Sequence, residues 1–268
     1  RKGTNSLVVE LDFGISSNQV VGRVTDGAWE APLLGDRAIY NSKTNPCPYL
    51  GSYTLVLPGQ SNPADGPEGS GCGTIKVDGN GLATLAGTLA DGTKVSQKAP
   101  LSANGQWPVY VPLYSGAGSI QSWETFASRP TDDITGLLSW IKPAQPKSKL
   151  YPGGFTNETV CVGSTFLRPN PSTAPVIALT TGEVNFNGGD LVADFTNAIA
   201  LAANKVTNLG TNKLSLSINT SSGLFSGSVT DPSTGKPLKF SGALLQKQNA
   251  GFGFMLGTNR SAHVALGQ

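Results

Sequence analysis

The chain is predicted to be all-β: antiparallel meander units, barrel-like or sandwich in form, made from a duplicated β-hairpin repeat. Three observations predict it. Charged residues are only 13% of the 268 positions, while Gly (34) and Pro (18) are abundant. Apolar residues alternate with polar ones over short segments bounded by turn signals. A motif of the form apolar–x–Gly–x–aliphatic–(Thr/Ala)–Asp recurs along the chain.

Composition sets the outer limits. Apolar residues at 38% can fill a core, and the length suits one large β domain or two smaller ones. The charged share is about half that of an average soluble protein, as expected when short strands and tight turns replace helices with charged outer faces. The formal net charge is +2 with no basic run, so the electrostatic footprint of a nucleic-acid binder is missing. No apolar run approaches the length of a membrane span, and no membrane insertion is expected. The chain begins Arg1-Lys2-Gly3-Thr4 without Met or a signal-type segment, which reads as a mature form or a piece of something longer. Its sparse Lys and Glu and many Thr, Ser, Asn and Gly residues accompany exported β proteins. A secreted or cell-surface location is therefore expected.

The repeat appears in Val20-Val21-Gly22-Arg23-Val24-Thr25-Asp26-Gly27, in Leu85-Ala86-Gly87-Thr88-Leu89-Ala90-Asp91-Gly92, and in Phe225-Ser226-Gly227-Ser228-Val229-Thr230-Asp231. Asp91-Gly92 is a hairpin turn signal, because a primed turn needs positive φ. Turns also precede each copy, at Ser17-Asn18, Asp78 to Gly81 and Asn219 to Gly223. Downstream, Val95 to Leu101 parallels Leu238 to Leu245, followed by turns at Asn104-Gly105 and Gln248 to Gly251. The shared Gly predicts close backbone approach or a sharp bend, as barrel corners require. The shared Asp predicts a turn initiator whose carboxylate caps local N–H groups.

A polar, Pro-rich connector follows Trp140, and a boundary near it divides the chain into 1–145, with two repeat copies, and 146–268, with one clear copy and degenerate strands. Leu191 to Val206 fits both a helical stripe and an alternating strand, and the β context favours strands. In Gln106 to Tyr114, Trp107, Val109, Val111 and Leu113 fall on one face and read as core, while Tyr110 and Tyr114 fall on the other. Pro108, Tyr110 and Pro112 direct their backbone nitrogens to one side, and two of these lack an N–H. That side cannot carry a regular ladder, so an edge strand is predicted.

Four runs carry a resemblance: Ala83 to Thr93, Trp107-Pro108-Val109-Tyr110, Leu150-Tyr151-Pro152-Gly153-Gly154-Phe155 and Phe240 to Gln248. From about Gly71 onward the chain resembles a module near the C-terminal ends of large secreted, multi-domain bacterial surface proteins. The resemblance implies export, a β fold and membership of a longer chain. It implies no activity and assigns no site residue.

Candidate chemistry is sparse. The chain holds one histidine, His263, through which any Ser–His–Asp or Cys–His arrangement must run; strand alternation points it away from Ala262 and Val264. Glu124, Asp132 and Asp133 cluster in sequence beside Trp123 and Trp140, and a glycosidase needs two positioned carboxylates. Arg129 to Asp133 also reads as an ordinary solvated loop. Asn62, Asp65 and Glu68 offer oxygen ligands to Ca²⁺ but lack the alternating spacing of a calcium loop; no other cofactor is expected. Cys47 and Cys72 flank a turn-rich loop, and a bridge between them would add roughly 3 kcal/mol and leave Cys161 over. Tyr110, Tyr114 and Trp123 are the candidate ligand-binding aromatics. Flat rings on a β surface suit sugar C–H faces, and burial under a neighbouring loop is the competing reading. The leading expectation is a non-catalytic secreted module that binds a polysaccharide or glycan or presents a surface. The alternatives are a carboxylate-dependent carbohydrate-active hydrolase and a purely structural repeat of a stalk or filament.

Overall fold

The computed structural model describes residues 6–14, 18–171 and 174–268. Arg1 to Thr4 and Ser17 of the first predicted turn lie outside the described residues. Strands take 54% of the chain and helix 2%, so the fold is all-β. No helix among the described residues is long and apolar enough to cross a membrane. The strands form a three-stranded sheet and two eight-stranded barrel-like sheets.

The small sheet comprises β1 (Val8–Asp12), β2 (Gln19–Thr25) and β3 (Glu30–Asp36). The first barrel, the N-barrel, contains β4 (Gly51–Leu57), β5 (Gly71–Val77), β6 (Leu82–Thr88), β7 (Lys94–Pro100), β8 (Gln106–Leu113), β9 (Gly118–Phe126), β10 (Ile134–Lys142) and β11 (Phe155–Thr165). Its strand order is β7-β6-β5-β4-β11-β10-β9-β8, an up-and-down meander in which the first strand pairs with the last. The predicted core face of β8 is buried throughout. The predicted edge is real, because β8 pairs only with β9. A side chain spans the remaining seam. Gln97 of β7 donates Nε2 to the Pro108 carbonyl (2.8 Å) and accepts the Tyr110 N–H on Oε1 (3.0 Å). One amide thus supplies a donor and an acceptor where Pro108 and Pro112 bring no N–H.

The C-barrel contains β12 (Thr181–Asn187), β13 (Phe195–Ala202), β14 (Lys205–Asn208), β15 (Leu214–Ile218), β16 (Leu224–Thr230), β17 (Pro237–Leu245), β18 (Ala250–Leu256) and β19 (Ser261–Gly267). It is closed, with β12 paired to β19. The ambiguous stretch from Leu191 forms β13 and β14, with Ile199 and Leu201 buried on one face. Asn197 shares that face and is wholly buried. Its amide donates to Asn208 Oδ1 (2.9 Å) and accepts from Asn212 Nδ2 (2.9 Å), so a polar side chain is tolerated because it is paired.

The repeat has one geometric meaning in all three sheets. A Cβ at Gly22, Gly87 or Gly227 would meet the carbonyl oxygen of Glu10, Cys72 or Ser215 at 2.0, 2.8 or 2.1 Å. In each case that carbonyl belongs to the residue just before the glycine's partner on the preceding strand (Leu11, Gly73 or Leu216). Only Gly allows the approach that this strand curvature imposes. The repeat Asp caps its own turn each time: Asp26 accepts Ala28 N–H (2.9 Å), Asp91 accepts Thr93 N–H (3.0 Å) and Asp231 accepts Ser233 N–H (2.9 Å).

Two expectations are corrected. The Pro-rich connector joins β10 to β11, neighbours in one sheet, and the chain passes to the C-barrel only between Thr165 and Thr181. The connector is a loop because the strands on either side of it form one continuous ladder. All three cysteines are free and buried. Cys72 lies near the start of β5, opposite Val56, whereas Cys47 donates its N–H to Gly79 (3.1 Å) beyond the other end of that strand. The two are separated by roughly a strand's length, about 20 Å, far beyond disulfide reach.

The barrels share an interface. Thr54 donates its hydroxyl to the Leu244 carbonyl (2.6 Å), and Ser70 N–H donates to the Gly253 carbonyl (2.9 Å). Ala243, Leu245 and Phe254 of the C-barrel join the N-barrel's apolar cluster. β4 is consequently covered on both faces. This explains why it runs Tyr53-Thr54-Leu55-Val56-Leu57 without polar alternation, all buried.

Candidate binding site

The outward face of β8–β11 carries the most exposed aromatic surface of the N-barrel. Tyr110 is 59% exposed and Trp123 is 48% exposed. Trp123 pairs with Pro108, so Tyr110 is its diagonal neighbour, about 7–8 Å away. The same row continues through Leu137 and Val160, which are paired and exposed. Beside it runs a polar row, Tyr110–Gln121–Ser139–Glu158, each residue opposite the next. Ser139 donates its hydroxyl to Glu158 Oε1 (2.9 Å). A surface with an apolar aromatic row and a parallel row of amide, hydroxyl and carboxylate groups matches the two-sided chemistry of a sugar ring.

Tyr114 does not belong to this face. It leaves the strand into a 3-10 turn, Tyr114–Gly116, with φ of +52° at Tyr114 and +59° at Ser115. That turn rotates the side chain inward, to the end of the N-barrel. There Tyr114 donates to Asp91 Oδ2 (2.7 Å) and accepts from Trp140 Nε1 (3.0 Å). Burial, then the neighbouring Asp91 charge, pushes the Tyr114 hydroxyl far above its ordinary pKa. Lys142 Nζ lies 3.2 Å from the same Asp91 oxygen and 4.0 Å from the centre of the Tyr114 ring. Both charged side chains are almost wholly buried, at 3% and 1% exposure. The turn-capping Asp91 thus also anchors a buried network.

The three sequence-adjacent carboxylates diverge. Glu124 points into the N-barrel lumen, where both its oxygens lack a hydrogen-bond partner. Burial pushes its pKa up, with Ser122 and Cys161 partly opposing the shift. It borders a void of about 10 Å³, room for roughly one water. Asp132 pairs with Arg129 (2.6 Å). Asp133 is buried and takes Lys247 Nζ (2.6 Å) and Thr165 N–H (2.7 Å). Burial alone would raise its pKa, but Lys247 and Thr165 outweigh it and hold the carboxyl below the usual range. Asp133 is therefore a tether between the barrels.

The proposed calcium ligands also part. Asn62 and Asp65 bond each other (3.0 Å) in a closed turn, while Glu68 reaches the C-barrel and accepts Gly189 N–H (2.7 Å). Among the described residues no group of three or more His, Cys, Asp or Glu side chains could hold a metal ion.

Glu68 instead belongs to a cleft of about 510 Å³ between the barrels, which Asp194, His263, Gln60 and Gln248 also line. Asp194 accepts Gly188 N–H (2.9 Å), and Ser70 Oγ lies 3.3 Å from His263 Nδ1. Burial lowers the His263 pKa, so the ring is neutral near pH 7. Val162 and Pro58 form part of the cleft wall and adjoin Val160, so the exposed row runs to its mouth. Among the described residues, no Lys or Arg lines the cleft. Sequence reasoning missed this grouping, because its members come from distant segments and share no local spacing.

No protein-family model matches the chain, and no curated protein or solved structure matches it.

Proposed function

We propose that this chain is a non-catalytic module of a secreted or surface protein that holds a glycan across β8–β11, with the chain's path leading into the inter-barrel cleft. The observation that carries the reading is the adjacency of Tyr110 and Trp123, both exposed, beside the polar row Gln121–Ser139–Glu158. Glu68 and Asp194 in the cleft, with no Lys or Arg among the described residues that line it, favour neutral or amine-bearing sugars over acidic ones.

Tyr110→Ala and Trp123→Ala are expected to weaken retention on a neutral or amine-bearing polysaccharide by up to about tenfold each, the worth of one stacking contact. The melting temperature is expected to stay within about 2 °C, because neither ring is core. Affinity electrophoresis and thermal melts measure both. Unchanged retention with a lowered melting temperature would refute the reading.

A second reading, glycan hydrolysis by Glu68 and Asp194, is favoured by their sharing one cleft. Release of reducing ends by the wild type, abolished in Glu68→Gln, would establish it over pure binding.

A further inference from the structure

The small N-terminal sheet has one face without charged residues and one mixed face, where charged side chains stand among the exposed Val8 and Leu34. On the mixed face Arg23 joins Glu10 (2.7 Å) and Glu30 (2.9 Å). On the other, Val9 stands opposite Val24, which faces Ala31, and Leu11 opposite Gly22, which faces Leu33. Val9 is 53% exposed and Leu11 46%. Neither apolar core cluster includes a residue of β1, β2 or β3.

The repeat identifies this face. Val20, Gly22 and Val24 occupy the motif positions of Leu85 and Gly87 in β6 and Leu89 just after it, and of Phe225, Gly227 and Val229 in β16. In the barrels the four apolar residues at these positions are at most 3% exposed. The glycine contact with the preceding strand's carbonyl is also the same in all three sheets. That contact belongs to the curvature of strands that close on themselves, which flat stacking against another sheet does not require.

We propose that the apolar face of β1–β3 is a docking surface for further antiparallel strands of the same repeat, carried on a longer polypeptide, which close over it as a third eight-stranded barrel. The charged row with Arg23 then forms that barrel's outer surface. The apolar row becomes its lumen.

Hydrogen exchange on two polypeptides tests this: the 268-residue chain, and the full product of the native gene, which by this proposal is an extended polypeptide; a full product that adds no strands would itself overturn the proposal. In the 268-residue chain, residues 8–36 are expected to exchange rapidly at every protein concentration, while 71–100 and 214–245 stay protected. In the extended polypeptide, residues 8–36 are expected to slow by at least about a hundredfold. Leu33→Asp should restore fast exchange there without lowering the melting temperature of the two barrels. Concentration-independent protection in the 268-residue chain would show that the sheet needs no cover. Protection that rises with concentration would show that a second copy covers it. Fast exchange in the extended polypeptide would show that no added strands do. Each of these overturns the proposal.

Discussion

The two barrels share a strand count and an up-and-down order, yet each has one weak seam, and the seams are mended differently. In the N-barrel, prolines in β8 remove ladder donors, and Gln97 alone bridges to it from β7. In the C-barrel the shortest strand, β14, has four residues and shares one paired position with β15, Lys205 opposite Ser217. There the Asn197 amide bonds the amides of Asn208 and Asn212, and Asn208 Nδ2 donates to the Asn212 backbone carbonyl, beside the gap. The two mends differ in burial: Gln97 is partly exposed, whereas Asn197 is wholly buried. Side-chain amides can replace a missing ladder because each carries both a donor and an acceptor, and the cost of losing one depends on how well water can replace it.

Substitutions in both barrels sharpen this picture, and the pair at Asn197 and Gln97 tests the contrast directly. The largest effect is expected from Lys142→Met, which leaves Asp91 buried without its cation. A loss of about 3–5 kcal/mol is expected in chemical denaturation. Adding Asp91→Asn, which removes the charge and keeps an acceptor for the Thr93 cap, should recover part of it, and the absence of any recovery would mean that Lys142 acts through packing alone.

Asn197→Ala comes next, with an expected loss of about 2–3 kcal/mol, because it empties a wholly buried site and takes partners from the half-buried Asn208 and Asn212 amides. Gln97→Ala is expected to cost less, about 1–2 kcal/mol, with faster amide exchange at Tyr110. The reverse order of these two costs would break the argument from burial.

The smallest effect depends on pH. Glu124 has a raised pKa in the folded state, so the unfolded chain gives up its proton first as pH climbs past about 4.3. Stability therefore falls from that pH upward, until the folded carboxyl also ionises. Glu124→Gln should remove this slope, leaving stability near wild type at pH 4 and above it at pH 8. Thermal melts across that range check it. A slope that persists in the variant would place the titrating group elsewhere.

What could be read in the sequence was the local part. Pro108 and Pro112 disclosed an edge strand, because a missing N–H is a property of the residue itself. The repeat glycines disclosed close backbone approach for the same reason. Tyr114 was misplaced because strand alternation was carried one residue too far, and the following Ser115-Gly116-Ala117-Gly118 was the available sign that the strand had ended. The cysteine pairing failed because loop entropy says nothing about which ends of a strand the loop joins. Trp123 was flagged as a candidate, but its place beside Tyr110 depends on the β8–β9 register. The grouping of Glu68, Asp194 and His263 depends on how two barrels pack, which no short window of residues encodes.

One consequence of the barrel order concerns mechanical load. The start of β4 lies opposite the end of β11, Tyr53 against Thr165, and the start of β12 lies opposite the end of β19, Glu183 against Gly267. A pull on the two ends of either barrel therefore acts at one end of a single antiparallel pair. The hydrogen bonds there peel in succession instead of resisting together. Each barrel is therefore expected to yield at low force and release its strands as slack, an outcome that single-molecule pulling reads directly.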